Sequence, residues 1–349
     1  MTLLEVEDLR TYFYTPEGIV QAVDGVSFSV DRGESLGLVG ESGAGKSVTA
    51  KSILGLIRAP GRIVDGTVRF DGQDLTAMSE TELRRGVRGN DISIVFQDAM
   101  SALNPVFTVG SQLTEIIEHN THRSKKEARR RAIELLDDVG IPDPEQRFDE
   151  YPHQFSGGMQ QRAMIAMALS CDPQLIIADE PTTALDVTIQ AQILDLFDDI
   201  QERYDTSVIY VTHDLGVVRE VCDRVAVMYL GKVVETAPYD ELYGNPKHPY
   251  TQALLNSVLT PDERTDDLDP IEGSMPSAVG PPSGCRFRTR CPVALEDCSR
   301  IEPPRAETEP NHEVACILYD ENYDEPEPQL HSRTRGGDGQ TDTVGGSDR

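Results

Sequence analysis

The sequence predicts an α/β protein built on a mostly parallel sheet. Short, nearly all-apolar runs of strand length alternate with helix-forming segments between residues 1 and 255, as in parallel sheets whose strands are joined by helices. Segments 3–7, 20–30 and 63–70 instead alternate apolar and polar residues, which favours an antiparallel sheet on one side. Residues 101–170 hold helix formers without a strand pattern. We therefore expect a parallel core, an antiparallel β-subdomain and an inserted helical subdomain.

The central strands are predicted from their length and apolar content. Strands that are covered by helices on both faces are buried on both faces, so they carry continuous apolar runs rather than alternation. Five strands are predicted, Ser35–Val39, Ile92–Phe96, Leu175–Ala178, Ser207–Val211 and Arg224–Tyr229, and those at 36, 175 and 208 are short and nearly all apolar.

The remaining residues differ in composition from the α/β domain over 1–255. Residues 256–284 are acidic and rich in proline, serine and glycine, which is typical of a linker. Residues 285–319 carry four cysteines and predict a small C-terminal module. Residues 320–349 have too few apolar side chains to form a core, and we expect a disordered acidic tail.

The charge and the hydropathy of the chain narrow the set of possible functions. The formal net charge of −28 would repel nucleic acid, so we expect no nucleic-acid partner. Concentrated salt screens self-repulsion on such a surface, and we interpret the acidity as adaptation to a salty cytoplasm. No run approaches the roughly 18 apolar residues of a membrane-spanning helix, and the N-terminus lacks the pattern of a secretory signal. The sequence predicts a soluble cytoplasmic protein.

A glycine-rich loop follows the first central strand and precedes a helix predicted over Val48–Leu56. Consecutive backbone N–H groups in such a loop, together with a helix N-terminus, surround phosphate oxygens. The lysine is expected to reach the β- and γ-phosphates of a nucleotide, and the last serine to ligate Mg²⁺. The loop sequence is Gly40-Glu41-Ser42-Gly43-Ala44-Gly45-Lys46-Ser47, followed by Val48. Strand, loop and helix together resemble the RecA-like core of P-loop NTPases.

Two carboxylates follow the apolar strand Leu175–Ala178. Asp179, at the carboxyl end of the strand, is expected to hold Mg²⁺. Glu180 is then placed to polarise the water that attacks the γ-phosphate. Adjacent acidic residues are common at strand ends for structural reasons, so it is the partnership with the phosphate loop that makes this pair informative. Together they predict an ATPase with ATP and Mg²⁺ as its cofactors.

A third motif begins a helix that leads into this strand, and its sequence is Phe155-Ser156-Gly157-Gly158-Met159-Gln160-Gln161-Arg162. It resembles the signature motif of the ABC ATPase family. The resemblance implies that Ser156, Gly157, Gly158 and Gln160 contact the γ-phosphate of ATP bound by the opposite subunit of a dimer. A Ser-Gly-Gly triplet elsewhere would be an ordinary helix start, but here it has the position that the family gives it.

Three shorter segments resemble further elements of the same family: Phe96-Gln97-Asp98, Ala184-Leu185-Asp186 and Thr212-His213-Asp214. The resemblance implies that Gln97 contacts Mg²⁺ and the attacking water, that Asp186 lies in the D-loop, and that His213 contacts the γ-phosphate. It also implies an aromatic residue on adenine. Tyr12, Phe13 and Tyr14 are the candidates, and Phe13 matches the family pattern.

Within that family, residues 151–162, 178–192 and 245–251 resemble the ATPases of oligopeptide/dipeptide importers. The resemblance extends over about 3–319 and implies a paralogous ATPase or a second copy as dimer partner. It also implies two transmembrane permease subunits, an extracellular solute-binding protein and a peripheral location on the cytoplasmic face of the membrane. Oligosaccharide or nickel-complex import remains an alternative, and a non-transport ABC ATPase is a remote one.

The C-terminal cysteines predict a second site formed by Cys285, Cys291, Cys298 and Cys316. Disulfides are disfavoured in the reducing cytoplasm, so a bound metal is the first hypothesis. The spacing lacks the close Cys pairs of most zinc sites, whereas four thiolates suffice for a [4Fe–4S] cluster. We favour the cluster and keep zinc, free thiols and disulfides as alternatives.

Overall fold

A computed structural model describes residues 1–97, 102–183, 185–257, 271 and 273–323. The strands are β1 Thr2–Thr15, β2 Gly18–Asp31, β3 Ser35–Val39, β4 Gly61–Phe70, β5 Gln73–Asp74, β6 Ile92–Val95, β7 Leu175–Asp179, β8 Ser207–Thr212, β9 Arg224–Tyr229, β10 Lys232–Pro238, β11 Ala306–Glu309 and β12 His312–Val314. The α-helices are α1 Lys46–Ile53, α2 Glu80–Glu82, α3 Val109–Asn120, α4 Lys125–Asp138, α5 Pro144–Arg147, α6 Gly157–Ala168, α7 Val187–Tyr204, α8 Leu215–Val221, α9 Tyr239–Gly244 and α10 Pro249–Asn256.

The main sheet has the strand order β11-β12-β10-β9-β3-β8-β7-β6. Strands β9, β3, β8, β7 and β6 are parallel, and β10, β12 and β11 extend the sheet in antiparallel pairs. The carboxyl ends of β3 and β7 therefore lie at one edge, with β8 between them. This arrangement confirms the predicted α/β class and brings together the motifs that follow these strands.

The second sheet is antiparallel, with the order β2-β1-β4-β5, as the alternating segments predicted. Its strands are longer than the alternation suggested because backbone pairing continues through register shifts, one of them between Val6 and Leu9. The buried positions Leu4, Val6 and Leu9 face the core. The antiparallel sheet thus covers one side of the main sheet.

Apolar cores lie on both faces of the main sheet, which explains the continuous apolar runs. Within β7, Ile176 and Ala178 belong to one core, and Leu175 and Ile177 belong to the other. Successive side chains of a strand point to opposite faces, so both sets are buried at once.

Helices α3 to α6 occupy the stretch predicted to be helical. Val109, Leu113 and Ile117 are buried along one stripe of α3, at the spacing expected of an amphipathic helix. Residues 98–101, which precede this region and include Asp98 of the Gln97 segment, lie outside the described residues. Helix α1 begins at Lys46, two residues earlier than predicted, because Gly45 in the left-handed conformation lets the loop enter the helix directly.

The C-terminal module packs on the α/β domain. Its hairpin β11–β12 pairs with β10, and the Phe287 ring lies 5.1 Å from that of Tyr229 and 5.3 Å from that of Tyr250. Part of the predicted linker is also attached, since Gln21 N–H donates to the Ala278 carbonyl at 3.0 Å. Residues 258–270 and 272, and the predicted tail beyond 323, lie outside the described residues. Nowhere in the described ranges does a helix have the length and apolar content needed to cross a bilayer.

Candidate nucleotide-binding site

The phosphate loop depends on glycine at two positions. Gly40 has φ +153°, and a Cβ there would lie 2.2 Å from the Met228 carbonyl oxygen. Gly45 has φ +107°, and its Cβ would lie 2.3 Å from the Ala22 carbonyl oxygen. Both close approaches are to backbone, which cannot move aside. The loop conformation is therefore available only to this glycine pattern.

Lys46 is folded back over the loop that precedes it. Its ammonium donates to the Gly40 carbonyl at 2.7 Å and to the Glu41 carbonyl at 3.2 Å. Burial lowers the pKa of Lys46, and the neighbouring carboxylates Glu180, Asp179 and Glu41 oppose that shift. The side chain thus places a cationic donor beside the curled backbone N–H groups, an arrangement suited to phosphate.

Ser47 and Asp179 meet at the carboxyl edge of the main sheet. The Ser47 hydroxyl donates to Asp179 Oδ1 at 2.8 Å. Burial raises the pKa of Asp179, while the hydrogen bond from Ser47 acts in the opposite direction. A hydroxyl and a carboxylate at this separation supply the oxygen ligands that Mg²⁺ prefers.

Glu180 is held by two of the predicted site residues. Gln97 Nε2 donates to Oε2 of Glu180 at 2.8 Å, and His213 Nδ1 lies 3.2 Å from its Oε1. The Thr183 hydroxyl also donates to Oε2, at 3.0 Å. Glu180 itself has φ +51°, a conformation that is uncommon outside glycine. That turn directs the carboxylate into the site, where three side chains orient it.

These residues surround one cavity of about 700 Å³. Its lining combines the phosphate loop from Glu41 to Val48 with Gln97, Glu180 and His213. Leu254 of α10 and Ala278 of the predicted linker also line it. Neither residue carries a polar group or a motif, so sequence reasoning gave no reason to place them here.

The structure does not bring Phe13 into this cavity lining among the described residues. Its ring lies against Gly61, where a Cβ would be 2.6 Å from Cε1 of Phe13. Tyr12 donates to Asp24 at 2.7 Å, and Tyr14 lies under Arg62 at 4.7 Å from the ring centroid. The predicted stacking of Phe13 on adenine therefore stays a prediction.

The signature segment forms the N-terminus of α6, away from the cavity lining. The Ser156 hydroxyl accepts from Met159 N–H at 3.3 Å, and Ser156 and Gly157 are exposed. Gly158 lies against α7, because a Cβ there would be 3.0 Å from Ile189. The D-loop residue Asp186 likewise begins a helix and is exposed. Its carboxylate accepts from Ile189 N–H at 3.0 Å. Ala184 of the same segment lies outside the described residues.

Gln160 differs from the other three predicted signature residues in being buried. The resemblance implied contact with the partner's ATP, but the side chain is only 8% exposed. Its amide nitrogen donates to the carbonyls of Pro152 at 2.8 Å and Phe155 at 3.3 Å. The helix period turns Gln160 inward, where its amide holds the turn that precedes α6, and contact with the ATP of a partner stays a prediction.

Glu41 connects the loop to the C-terminal module, which the sequence did not predict. Arg290 Nη1 lies 3.0 Å and 3.1 Å from the two carboxylate oxygens of Glu41. The Glu41 N–H donates to the Tyr250 hydroxyl at 2.9 Å. Because Arg290 lies 249 positions further along the chain, no local pattern could have revealed the contact.

Comparison with known proteins agrees with this geometry. The family described as "ABC transporter" matches residues 23–183, and the family described as "Oligopeptide/dipeptide transporter, C-terminal region" matches residues 234–298. The oligopeptide transport ATP-binding protein AppD of Bacillus subtilis is 50% identical over 92% of this chain and 98% of its own length. The chain belongs to the ATP-binding subunits of the oligopeptide/dipeptide branch of the ABC transporters.

Further ABC proteins are also similar to this chain. The dipeptide transport ATP-binding protein DppD of Bacillus subtilis is 51% identical over 91% of this chain and 95% of its own. Among solved structures, the dimeric post-hydrolysis state of the ABC cassette MJ0796 with ADP and Pi has a TM-score of 0.61 at 28% identity, covering 68% of this chain and 99% of that one. None of these names bears on an iron–sulfur cluster or on salt adaptation, so both stay predictions.

Proposed function

We propose that this subunit binds and hydrolyses MgATP to energise the import of dipeptides or oligopeptides. ATP hydrolysis coupled to transport is the activity of its family. The peptide substrate is inferred from the relatives AppD and DppD, whose names specify oligopeptide and dipeptide transport. The observation that carries the proposal is the Glu180 carboxylate, held between Gln97 and His213 beside the Ser47–Asp179 pair.

The residues at the cavity would have separate roles in binding and hydrolysing MgATP. Backbone N–H groups of the loop and the Lys46 ammonium would bind the phosphates. Ser47, Asp179 and Gln97 would hold Mg²⁺, which neutralises charge on the phosphates when bound. Glu180 orients and polarises water, and His213 would contact the γ-phosphate. Phosphoryl transfer needs positioning and charge stabilisation more than covalent catalysis, and these side chains supply both.

The second half of each ATP site would come from another subunit. Ser156, Gly157 and Asp186 are exposed but are absent from this chain's cavity lining. A face-to-face dimer would bring them to the ATP held by the opposite phosphate loop. The opposite subunit would be a paralogous ATPase, with a second copy of this chain as the alternative.

Two exposed apolar side chains, Val106 and Phe107, suit a contact with a membrane-spanning partner. Val106 is 70% exposed and Phe107 is 52% exposed, in the stretch that follows Gln97. Apolar side chains with that exposure are typical of protein interfaces. We assign this surface to the two permease subunits, so that the chain would lie at the cytoplasmic face of the membrane, while an extracellular binding protein delivers the solute.

The test of hydrolysis is Glu180→Gln, which keeps the shape of the side chain but removes its charge. We expect ATP binding to persist, turnover to fall at least about a hundredfold and an ATP-bound dimer to accumulate on a sizing column. Glu202→Gln, an exposed change on α7, is the control and should hydrolyse ATP normally. Turnover close to the unmodified rate in Glu180→Gln would contradict the role of Glu180.

Reconstitution tests the substrate. The subunit is purified with its partner ATPase and permeases in liposomes, the solute-binding protein is added, and uptake of a labelled dipeptide is compared with that of an oligosaccharide and a nickel complex. Peptide-dependent ATP hydrolysis and uptake support the proposal. Uptake of either other solute in place of peptide would favour that alternative, and ATPase activity stimulated by ribosomes or DNA without permeases would favour a non-transport protein.

For the four cysteines we propose a bound iron–sulfur cluster. Cys285, Cys291, Cys298 and Cys316 line one small cavity, and none forms a disulfide. Burial raises the pKa of Cys285 to about 11, so its thiolate would require a bound cation. About four iron and four sulfide per chain in anaerobically purified protein would support the cluster. Zinc alone, or no metal, would favour the alternatives.

A further inference from the structure

The β11–β12 hairpin places a buried histidine beside two carboxylates. One ring nitrogen of His312 and one oxygen each from Glu241 and Glu309 lie within 4.8 Å of one another. Glu309 and His312 face each other in the hairpin register, while Glu241 comes from α9. The group includes none of the four cysteines and none of the cavity residues of the nucleotide site.

The two nitrogens of His312 have different surroundings. The side chain is 0% exposed, and Nε2 lies 2.7 Å from Oε1 of Glu235. Glu235 is also buried and accepts the backbone N–H groups of Lys247 at 2.7 Å and His248 at 2.9 Å. With backbone donors on both of its oxygens, Glu235 acts as an acceptor toward the ring. Nε2 therefore carries the ring proton, and Nδ1 presents a lone pair.

That lone pair is buried without a partner: within the part of the chain that the structure describes, Nδ1 of His312 accepts no hydrogen bond. Buried polar atoms in native proteins almost always have a partner, and an orphaned one calls for a ligand or an ion. Since Nε2 is occupied by Glu235, Nδ1 is the nitrogen available to the carboxylates of Glu241 and Glu309.

The surrounding charge favours a cation. Lys247 Nζ and Asn245 Nδ2 each lie 3.0 Å from Oε1 of Glu309. Lys247 thus supplies one positive charge to a site with two carboxylates, and negative charge remains in excess beside the histidine lone pair. Imidazole together with carboxylates suits zinc and related transition metals, whereas calcium and magnesium prefer oxygen ligands alone.

We propose that Nδ1 of His312, Glu241 and Glu309 ligate a divalent transition-metal ion of the zinc type. Glu235 orients the imidazole through Nε2, as carboxylates behind metal-bound histidines do. Three protein ligands leave a position for water. The ion would connect the hairpin of the C-terminal module to α9 of the α/β domain.

Zinc content of the full chain tests the site. Protein stripped with a chelator is dialysed against micromolar zinc chloride, and bound zinc is measured by atomic emission for wild type and for Glu241→Gln/Glu309→Gln. The control, Asp240→Asn/Glu307→Gln, makes the same change in charge at exposed positions on the same two elements. All three proteins keep the four cysteines. Any zinc bound by the cysteines is therefore the same in each and does not affect the difference between them.

We expect wild type and control to bind one zinc per chain more than Glu241→Gln/Glu309→Gln. Equal zinc content in all three would overturn the proposal. His312→Gln, checked for folding by circular dichroism, should lose the same ion. Retention of the ion by folded His312→Gln would also overturn it, because the imidazole would not be a ligand; if that variant does not fold, the carboxylate comparison decides.

Discussion

At the scale of single residues, the site depends on groups held in conformations that cost free energy. Glu180 adopts a positive φ, and Lys46 is buried with its charge. Strain and burial of this kind persist only where the surroundings compensate. Here the compensation comes from Gln97, His213 and the loop carbonyls. Each of these side chains is therefore a sensitive point for function.

Lys46→Ala should weaken ATP binding itself. The substitution removes the ammonium that pairs with phosphate, and charge-assisted hydrogen bonds are worth about 1.5–3 kcal/mol each, so we expect the dissociation constant to rise at least about tenfold. Titration with a fluorescent nucleotide measures this dissociation constant. Lys125→Ala, at an exposed helix start, is the control. An unchanged affinity in Lys46→Ala would mean that the ammonium does not contact nucleotide.

At the scale of elements, helix α7 carries acidic side chains that repel one another. Burial raises the pKa of Asp198 to about 6, and the nearby carboxylates Asp195, Asp199, Glu202 and Glu220 add to the effect. A folded-state pKa above the unfolded value means that the neutral form stabilises the fold. That stability is present below about pH 4 and is lost as pH rises through about 6.

Asp198→Asn should therefore stabilise the protein at about pH 8 by about 1 kcal/mol, a figure reduced for the solvent screening of a partly exposed group. The gain should shrink as pH falls from about 6 to about 4, where the carboxylate of the wild type becomes neutral. Thermal unfolding of wild type and Asp198→Asn across this pH range measures the gain in stability. A gain that is independent of pH would show that the carboxylate charge is not its cause.

At the scale of the whole molecule, the C-terminal module contacts the phosphate loop. Arg290 of the module binds the Glu41 carboxylate, Tyr250 of α10 accepts the Glu41 N–H, and Ala278 of the predicted linker lines the nucleotide cavity. The module also completes the main sheet through β12 and β11. A change in the module can therefore reach the nucleotide through defined contacts.

Arg290→Ala should weaken ATP binding without abolishing it. The ion pair with Glu41 is partly exposed and worth about 1 kcal/mol or less, so the dissociation constant should rise about three- to fivefold. Arg288→Ala, which removes a hydrogen bond to the Ser283 carbonyl, is the control. If both variants bind ATP like wild type, the module does not position the loop.

The net charge of −28 predicts that salt stabilises the fold. The Debye length falls from about 10 Å at 0.1 M to about 3 Å at 1 M, so self-repulsion weakens while short ion pairs lose little. Tm in potassium chloride should rise between about 0.1 M and about 2 M. A Tm that stays constant or falls over this range would argue against adaptation to salt.

The sequence by itself determined the α/β class, the central strands and the phosphate loop. These features are local: continuous apolar runs require burial on both faces, and the glycine pattern around Lys46 permits one loop conformation. Strand order then brings the ends of β3 and β7 to one edge, which places Ser47 against Asp179.

Only the tertiary structure decided the rest. Gln160 points inward because the helix period and the preceding turn fix its direction, which its motif position did not reveal. Arg290 reaches Glu41, and His312 reaches Glu241, across separations in the chain that no local pattern spans. Such contacts arise from packing between distant segments, where burial and charge of the whole fold select the partner.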